Sequence, residues 1–566
     1  MASCTVASSL AVGGWLWWRS RETAAPAAEV QRRVLTSYPG EETEPALSPD
    51  GKQVAFVWNG EQGNQYDLYV KLVDAGDPIR LTNTPPGPEG RERAPAWSPD
   101  GTFLAFCRDD GFYVIPALGG AVRKVAGNSR LPSHAPVLTV AWSPDGQALI
   151  IPDTSTEPPS LAAVSIRTGE KRKMTSPPAG SMGDFNPLVS PDGQWLAFSR
   201  SQNVVAGDWY VQPLVEPGTA RQLTHAHGDL RGSGTWLPDG RELLLSLQVE
   251  GERRLWRVPV DGSAQARVPV LGDGDWLPSA ARKGNRLVVA SAWSDTNLWR
   301  LDLTRPEAPP VRVIASTREE SQADYSPDGM RVAFRSSRSG RAELWIANAD
   351  GTSPVQLTHG GAMPTAPRWS PDGKRIAFAK RPGGNADVYV VDAQGGEPRR
   401  LTTDPRNDAS AYWSRDGQWI YYASNRSGQQ QVWKTKADGS EGHTQVTRTS
   451  GWRSHEFAGG KMLAYQKWEQ PGIWTMPLPE GLERKVSDSP PTATFFATGD
   501  TGFWYDAPRE LHRVNLLTGE DRIIRRLPPS TGLGTLNFAV TPDLRWLLYV
   551  QVDQSIGDLT LLENFR

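Results

Sequence analysis

Short apolar runs alternate with turn-forming polar clusters at a nearly fixed interval along this chain. The string Ser-Pro-Asp-Gly begins at Ser48, Ser98, Ser143, Ser190, Ser326 and Ser370, with variants at Leu237, Ser414 and Thr541. A small or aromatic residue ends the run before the turn, as in Ala96-Trp97 and Arg368-Trp369. Proline presets φ at the first corner, and Asp and Gly complete a tight turn. An alternating run follows, such as Lys52-Gln53-Val54-Ala55-Phe56-Val57 or Arg375-Ile376-Ala377-Phe378, and this alternation marks a strand. A third run comes after a polar loop, as at Asp67-Leu68-Tyr69-Val70 and Asp387-Val388-Tyr389-Val390, and a fourth after another turn, as at Arg80-Leu81-Thr82 and Arg400-Leu401-Thr402.

The turn aspartates fall at Asp50, Asp100, Asp145, Asp192, Asp239, Asp328, Asp372, Asp416 and Asp543. The two long gaps predict one worn copy at Arg282-Lys283-Gly284-Asn285 and two more at Gly459-Gly460-Lys461 and Gly499-Asp500-Thr501-Gly502. Four short antiparallel strands per roughly 44 residues make one propeller blade, so the chain reads as all-β with twelve four-stranded blades. The last unit ends at Asp558–Leu562 without a fourth strand, while Arg33-Val34-Leu35-Thr36 is a spare fourth strand at the front. A blade built from both ends of a ring would use it and leave no open edge. A propeller has four to eight blades as a rule, so two six-bladed rings are expected, with a single ring or a five-plus-seven division as alternatives. The expected division is 31–303 for the first ring, 304–310 for a linker and 311–566 for the second ring. On that division Val34-Leu35-Thr36 would close the first ring against Leu298–Leu303, and Val311–Ala315 would close the second against Asp558–Leu562.

Composition agrees with a turn-rich, ordered chain: 566 residues contain 55 Gly, 47 Pro and 23 Trp. Many of the tryptophans recur at fixed blade positions. Lys and Arg total 61 against 63 Asp and Glu, too even a balance for a surface that tracks phosphate. The run Lys171-Arg172-Lys173 reads as solvated strand ends, so this chain itself is expected to contact no nucleic acid. Residues 2–18 carry no charge and precede Arg19 and Arg21, with Trp15, Trp17 and Trp18 at their end. That pattern predicts a transmembrane segment over 1–19, short enough to suggest a truncated start, then a linker at 20–30.

The Ser-Pro-Asp-Gly blades resemble the TolB-type propeller repeat, a relative of the WD repeat, over about residues 31–566. The whole arrangement is similar to a narrower group of bacterial membrane proteins, in which a cytoplasmic winged-helix domain, one transmembrane helix and an extracytoplasmic TolB-like propeller follow one another. A similar propeller is attached to receptor Ser/Thr kinases. The resemblance implies a membrane-anchored, single-pass regulator fragment with periplasmic propellers, although the chain as given carries neither the winged-helix nor the kinase domain.

Candidate chemistry is sparse. Hydrolases that carry propellers add a Gly-x-Ser-x-Gly nucleophile turn, and none occurs here. His225 and His227 could begin a metal site, with His359 at the equivalent place in another blade, but no third ligand can be named. The repeated Asp residues, tempting as calcium ligands, are expected to serve the turns. Cys107 is expected in a buried strand and Cys4 in the membrane segment. No catalytic, cofactor or metal residue is assigned. The reading is a non-enzymatic binding and sensing module with no cofactor, whose partner is a protein, peptide or small ligand at a propeller face. The alternative is a soluble periplasmic scaffold like TolB.

Overall fold

The computed structural model describes residues 29–565, apart from 62–64, 85–90, 128–138, 204–205, 216–217, 226–233, 250–251, 269–270, 272–273, 306, 362, 383–384, 441, 468–469, 491–493, 506–509 and 529–537. The expected membrane segment at 1–19 lies outside the described residues, as does most of the linker at 20–30. Among the described residues, no helix is long and apolar enough to cross a membrane.

The strands form ten four-stranded antiparallel sheets and one six-stranded sheet that holds two further blades. The innermost strands of the first ring follow one another as Glu42–Leu47, Arg93–Trp97, Ala141–Trp142, Gly183–Val189, Gly234–Trp236 and Asp275–Ala280, and the last packs back on the first. In the second ring they run Glu320–Tyr325, Thr365–Trp369, Asp408–Trp413, Trp452–Phe457, Thr494–Thr498 and Phe538–Val540, again returning to the first. The chain therefore forms two rings of six blades, and the other divisions fall away.

Ring closure differs from the expected pairing. The strand Leu287–Asp302 does not fold back on itself; it pairs along its whole length with Trp546–Glu563, from Leu287 opposite Leu562 to Asp302 opposite Trp546. Gln31–Val34 lies against the far end of Trp546–Glu563, with Gln31 opposite Glu563 and Val34 opposite Thr560. Val311–Ile314 lies against Leu298–Arg300 instead. Residues near 298–302 thus complete the second ring, and residues near 558–563 complete the first. The reason is local. Ala292 to Thr296 contain neither Gly nor Pro, so nothing turns the strand back and it runs on into the other ring. Val311 follows Asp302 closely in sequence, and the short hairpin costs less loop entropy than a distant pairing.

Two repeated contacts join blade to blade. The tryptophan before a turn donates its indole N–H to a carbonyl of the preceding blade: Trp97 to Ala46 at 2.8 Å, Trp142 to Ala96 at 2.9 Å, and Trp413 to Arg368 at 2.9 Å. A buried indole usually finds such a partner, and among the described residues five of the 23 tryptophans make this contact, Trp236 and Trp369 being the other two. The turns also stack. Gly101, at φ 75°, lies over Pro49, and Gly146 over Pro99, where a side chain would meet the ring of the preceding proline. Gly51 closes the first ring on Ala281, and Gly329 closes the second on Pro542 and Thr541. Within each Ser-Pro-Asp-Gly turn the serine hydroxyl donates to the aspartate, as from Ser48 to Asp50 at 2.6 Å, and accepts from a backbone N–H, as from Gln53 at 3.0 Å. These bonds hold the carboxyls of Asp50, Asp100 and Asp145 below their ordinary range. The turn reading of these residues explains all of their contacts.

An acid at the start of the inner strand is paired in several blades. Arg108 meets Glu92 at 2.7 Å, Arg200 meets Asp184 at 2.7 Å, and Arg426 meets Asp408 at 2.7 Å. In the first blade Trp58 stands opposite Glu42, where arginine stands opposite Asp184. Glu42 is fully buried, and among the described residues no cation pairs with it. Burial, with Asp558 adding repulsion, pushes its carboxyl up from 4.5 to about 8.

A folded-state pKa raised in this way means that folding binds a proton. Stability should fall as pH rises from about 4.5 towards about 8 and stay reduced above. Glu42→Gln should remove that slope and raise stability at about pH 8.5 by on the order of a few kcal/mol, with little gain near pH 4. Thermal unfolding at both pH values checks this; equal effects at the two would contradict it.

Candidate binding channel

Among the described residues, the inner strand carries a bulge before its turn in four of the six blades of each ring. Glu44, Ala94, Asn186 and Leu277 in the first ring have φ of 53°, 49°, 52° and 48°, and Gln322, Ala366, Ser410 and Arg453 in the second have 53°, 56°, 53° and 46°. Each coincides with a register shift, such as Thr43 to Ala46 or Phe185 to Leu188. Such a bulge re-aims the strand's side chains, here towards the ring axis. A sequence signal exists: Glu44-Pro45, Ala94-Pro95, Asn186-Pro187, Leu277-Pro278 and Ala366-Pro367 recur at this place. The turn motif that follows dominates the pattern and masks it.

What stands on the axis differs between the rings. In the first, small side chains such as Ala46, Ala96, Thr235 and Ser279 leave a cavity of about 210 Å³ that reaches all six blades. It continues past Ala96, Leu188 and Thr235 into a second space of about 160 Å³ towards the turns, bordered by Pro191, Pro238 and Arg282. In the second ring the corresponding places hold Asp324, Arg368, Tyr412 and His455. The Arg368 guanidinium lies 3.7 Å from Asp324, donates to the Tyr412 hydroxyl at 3.2 Å, and sits 5.5 Å from the Phe496 ring centre. Beside it, Arg453 stacks 3.9 Å over Trp452 and donates to Gln466 at 3.1 Å. These large groups fill the axis. Burial raises the Asp324 carboxyl to about 6 against the pull of Arg368, and lowers His455 to about 4, so His455 is neutral near pH 7.

Two charged groups mark the first channel. Glu44 is half-buried and accepts a hydrogen bond from the backbone N–H of Ala94. Burial raises its carboxyl, and Arg91 and Arg93 oppose that shift. Arg282 stands at the turn mouth where five other turns of the ring carry proline, at Pro49, Pro99, Pro144, Pro191 and Pro238.

The residues weighed from sequence do not converge. His225 is exposed, and His227 lies outside the described residues. His359 is exposed and meets Gln356 at 3.1 Å. Cys107 is buried, and burial pushes its thiol pKa far up, which suits packing and not reactivity. Lys171–Lys173 form an exposed outer strand.

The buried ion pair should resist truncation. Arg368→Ala would leave the buried Asp324 carboxyl without its cation in the second ring, and should cost about 3–5 kcal/mol. Urea unfolding measures this, and a loss below about 1 kcal/mol would show that the pair does not hold the ring.

The TolB beta propeller domain family matches residues 127–363, and the tricorn protease N-terminal beta propeller domain family matches residues 341–475. A Bacillus subtilis protein described as the uncharacterized peptidase YuxL is 32% identical over 28% of this chain and 22% of its own length. An uncharacterized Agrobacterium fabrum protein, Atu1656, is 30% identical over 36% of this chain and 66% of its own. The chain thus spans less than two thirds of either relative. The crystal structure of the tricorn protease aligns with 89% of this chain and 59% of that chain, at 12% identity and a TM-score of 0.31. Taken with the blade grammar and the two closed rings, the family matches establish that this chain is built of TolB-type β-propeller domains.

Proposed function

We propose that this chain is a non-enzymatic binding module that docks a peptide segment of a partner protein in the channel of its first ring. One observation carries the reading: two rings share one backbone plan, yet the first is open along its axis and the second is filled by Asp324, Arg368, Tyr412 and His455. A rigid ring with a lined opening suits docking, and the TolB-like fold agrees with an interaction scaffold. The second ring then stiffens the first through the shared strands. The uncharged run at residues 2–18 supports membrane anchoring with the rings outside the cytoplasm, as the sensing part of a regulator; a soluble periplasmic scaffold is the other form this reading takes.

Ala96 borders both parts of the channel, so Ala96→Trp should plug it. With a photo-reactive benzoylphenylalanine at Thr139 in cells, cross-linking to a partner is expected in the parent protein. It should fall about tenfold with the plug, the loss that about 1.4 kcal/mol of binding energy represents. Equal cross-linking with and without the plug would contradict channel docking. Membrane fractionation of the same cells tests the anchor, and a wholly soluble protein would favour the scaffold form.

A further inference from the structure

The two charged groups of the first channel sit at different depths and are chemically unlike. Arg282 borders both parts of the cavity at the turn mouth. Arg282 is exposed there, and among the described residues it makes no ion pair; partial desolvation lowers its pKa with no anion to offset the loss. The neighbouring turn acids are already engaged: Asp50 and Asp192 accept from Ser48 and Ser190, and Asp239 accepts from the Arg241 N–H. Lys283 stands where those turns carry aspartate, so this one turn is basic. Glu44 lies on the bulge of the first blade, at the place Leu277 holds in the sixth. From the bulge to the turn is about five residues, or roughly 16 Å along a strand. An extended peptide covers the same length in about five residues. The walls between are prolines and small hydroxyl or apolar side chains, including Pro45, Pro95, Pro278, Thr235 and Ser279.

We propose that the first channel takes the free C-terminus of a peptide chain, with the terminal carboxylate on Arg282 and a lysine or arginine about five residues upstream on Glu44. This rests on the channel-docking reading and names its ligand. An arginine guanidinium matches a carboxylate with paired N–H donors, and Glu44 supplies the opposite charge at the bulge end of the cavity. A cation there adds to the offset that Arg91 and Arg93 already give the Glu44 carboxyl. An internal segment of a protein could reach Arg282 only through an Asp or Glu side chain, whereas a terminal carboxylate on Arg282 fixes both the direction and the depth of the bound chain.

The test uses the full chain and a hexapeptide mixture randomised at every position, offered with free C-termini or as C-terminal amides, with retained peptides read by mass spectrometry. The free form should be retained about tenfold over the amide, with lysine or arginine enriched four or five residues before the end. Arg282→Gln should abolish the preference for the free carboxylate, and Glu44→Gln the preference for the basic residue, with unfolding temperatures unchanged. Equal retention of amide and free forms overturns the proposal, as does an Arg282→Gln protein that still discriminates, or no retention of either form. If peptides are retained without these preferences but are lost in Ala96→Trp, docking in the channel stands and its terminal-carboxylate chemistry falls. If Ala96→Trp retains peptides as the parent does, channel docking itself falls.

Discussion

The antiparallel pair formed by Leu287–Asp302 and Trp546–Glu563 is the contact on which both rings depend. Each strand gives one end to each ring, and the pairing is continuous apart from a single shift between Asp295 and Thr296. Without it the sixth blade of each ring would keep only two of its four strands and present an unpaired edge, the feature that invites association between chains. The closing blade of the first ring joins Gln31–Val34 to Trp546–Glu563, so that ring is complete only when the second has been traversed. Contacts between such distant parts of a chain slow folding, because the loop must close before the contact rewards it. The same arrangement couples the rings mechanically, since neither closing blade can open without disturbing a strand of the other.

Around that seam, stability is distributed over many copies of small contacts. The indole N–H of one blade meets a carbonyl of the last, and the glycine of one turn lies over the proline of the last. Each such contact is modest alone. Repetition makes the backbone plan insensitive to what stands on the axis, which leaves the axis free to vary. The second ring uses that freedom to bury a charged cluster and the first to keep an opening. Glu42, a buried acid facing tryptophan where its counterpart Asp184 faces arginine, shows that the repeat tolerates an imperfect copy beside the seam.

Much of this was legible in the sequence. The turn motif, the alternation after it and the regular interval determined the all-β class, the blade and the number of blades, because those depend on local geometry: proline fixes φ, glycine permits a positive φ, and alternation sorts one face from the other. The worn turn at Arg282–Asn285 was placed by spacing alone. The exchange of closing strands was hidden, because strands near 298 and 560 are equivalent in pattern and either could serve either ring. The channel was hidden for a related reason. Ala46, Ala96, Asp324 and Arg368 occupy one position of the repeat, and only the ring brings such residues, dozens apart in sequence, to a common axis.

The sequence by itself therefore determined the units, since each blade is made by residues that are near neighbours along the chain. Tertiary structure alone decided which unit closes on which, that one axis is open and the other filled, and that Glu44 and Arg282 share a cavity. Those outcomes arise from contacts between residues tens to hundreds of positions apart, whose choice turns on loop entropy and the packing of side chains around an axis, and neither quantity is written into any local pattern.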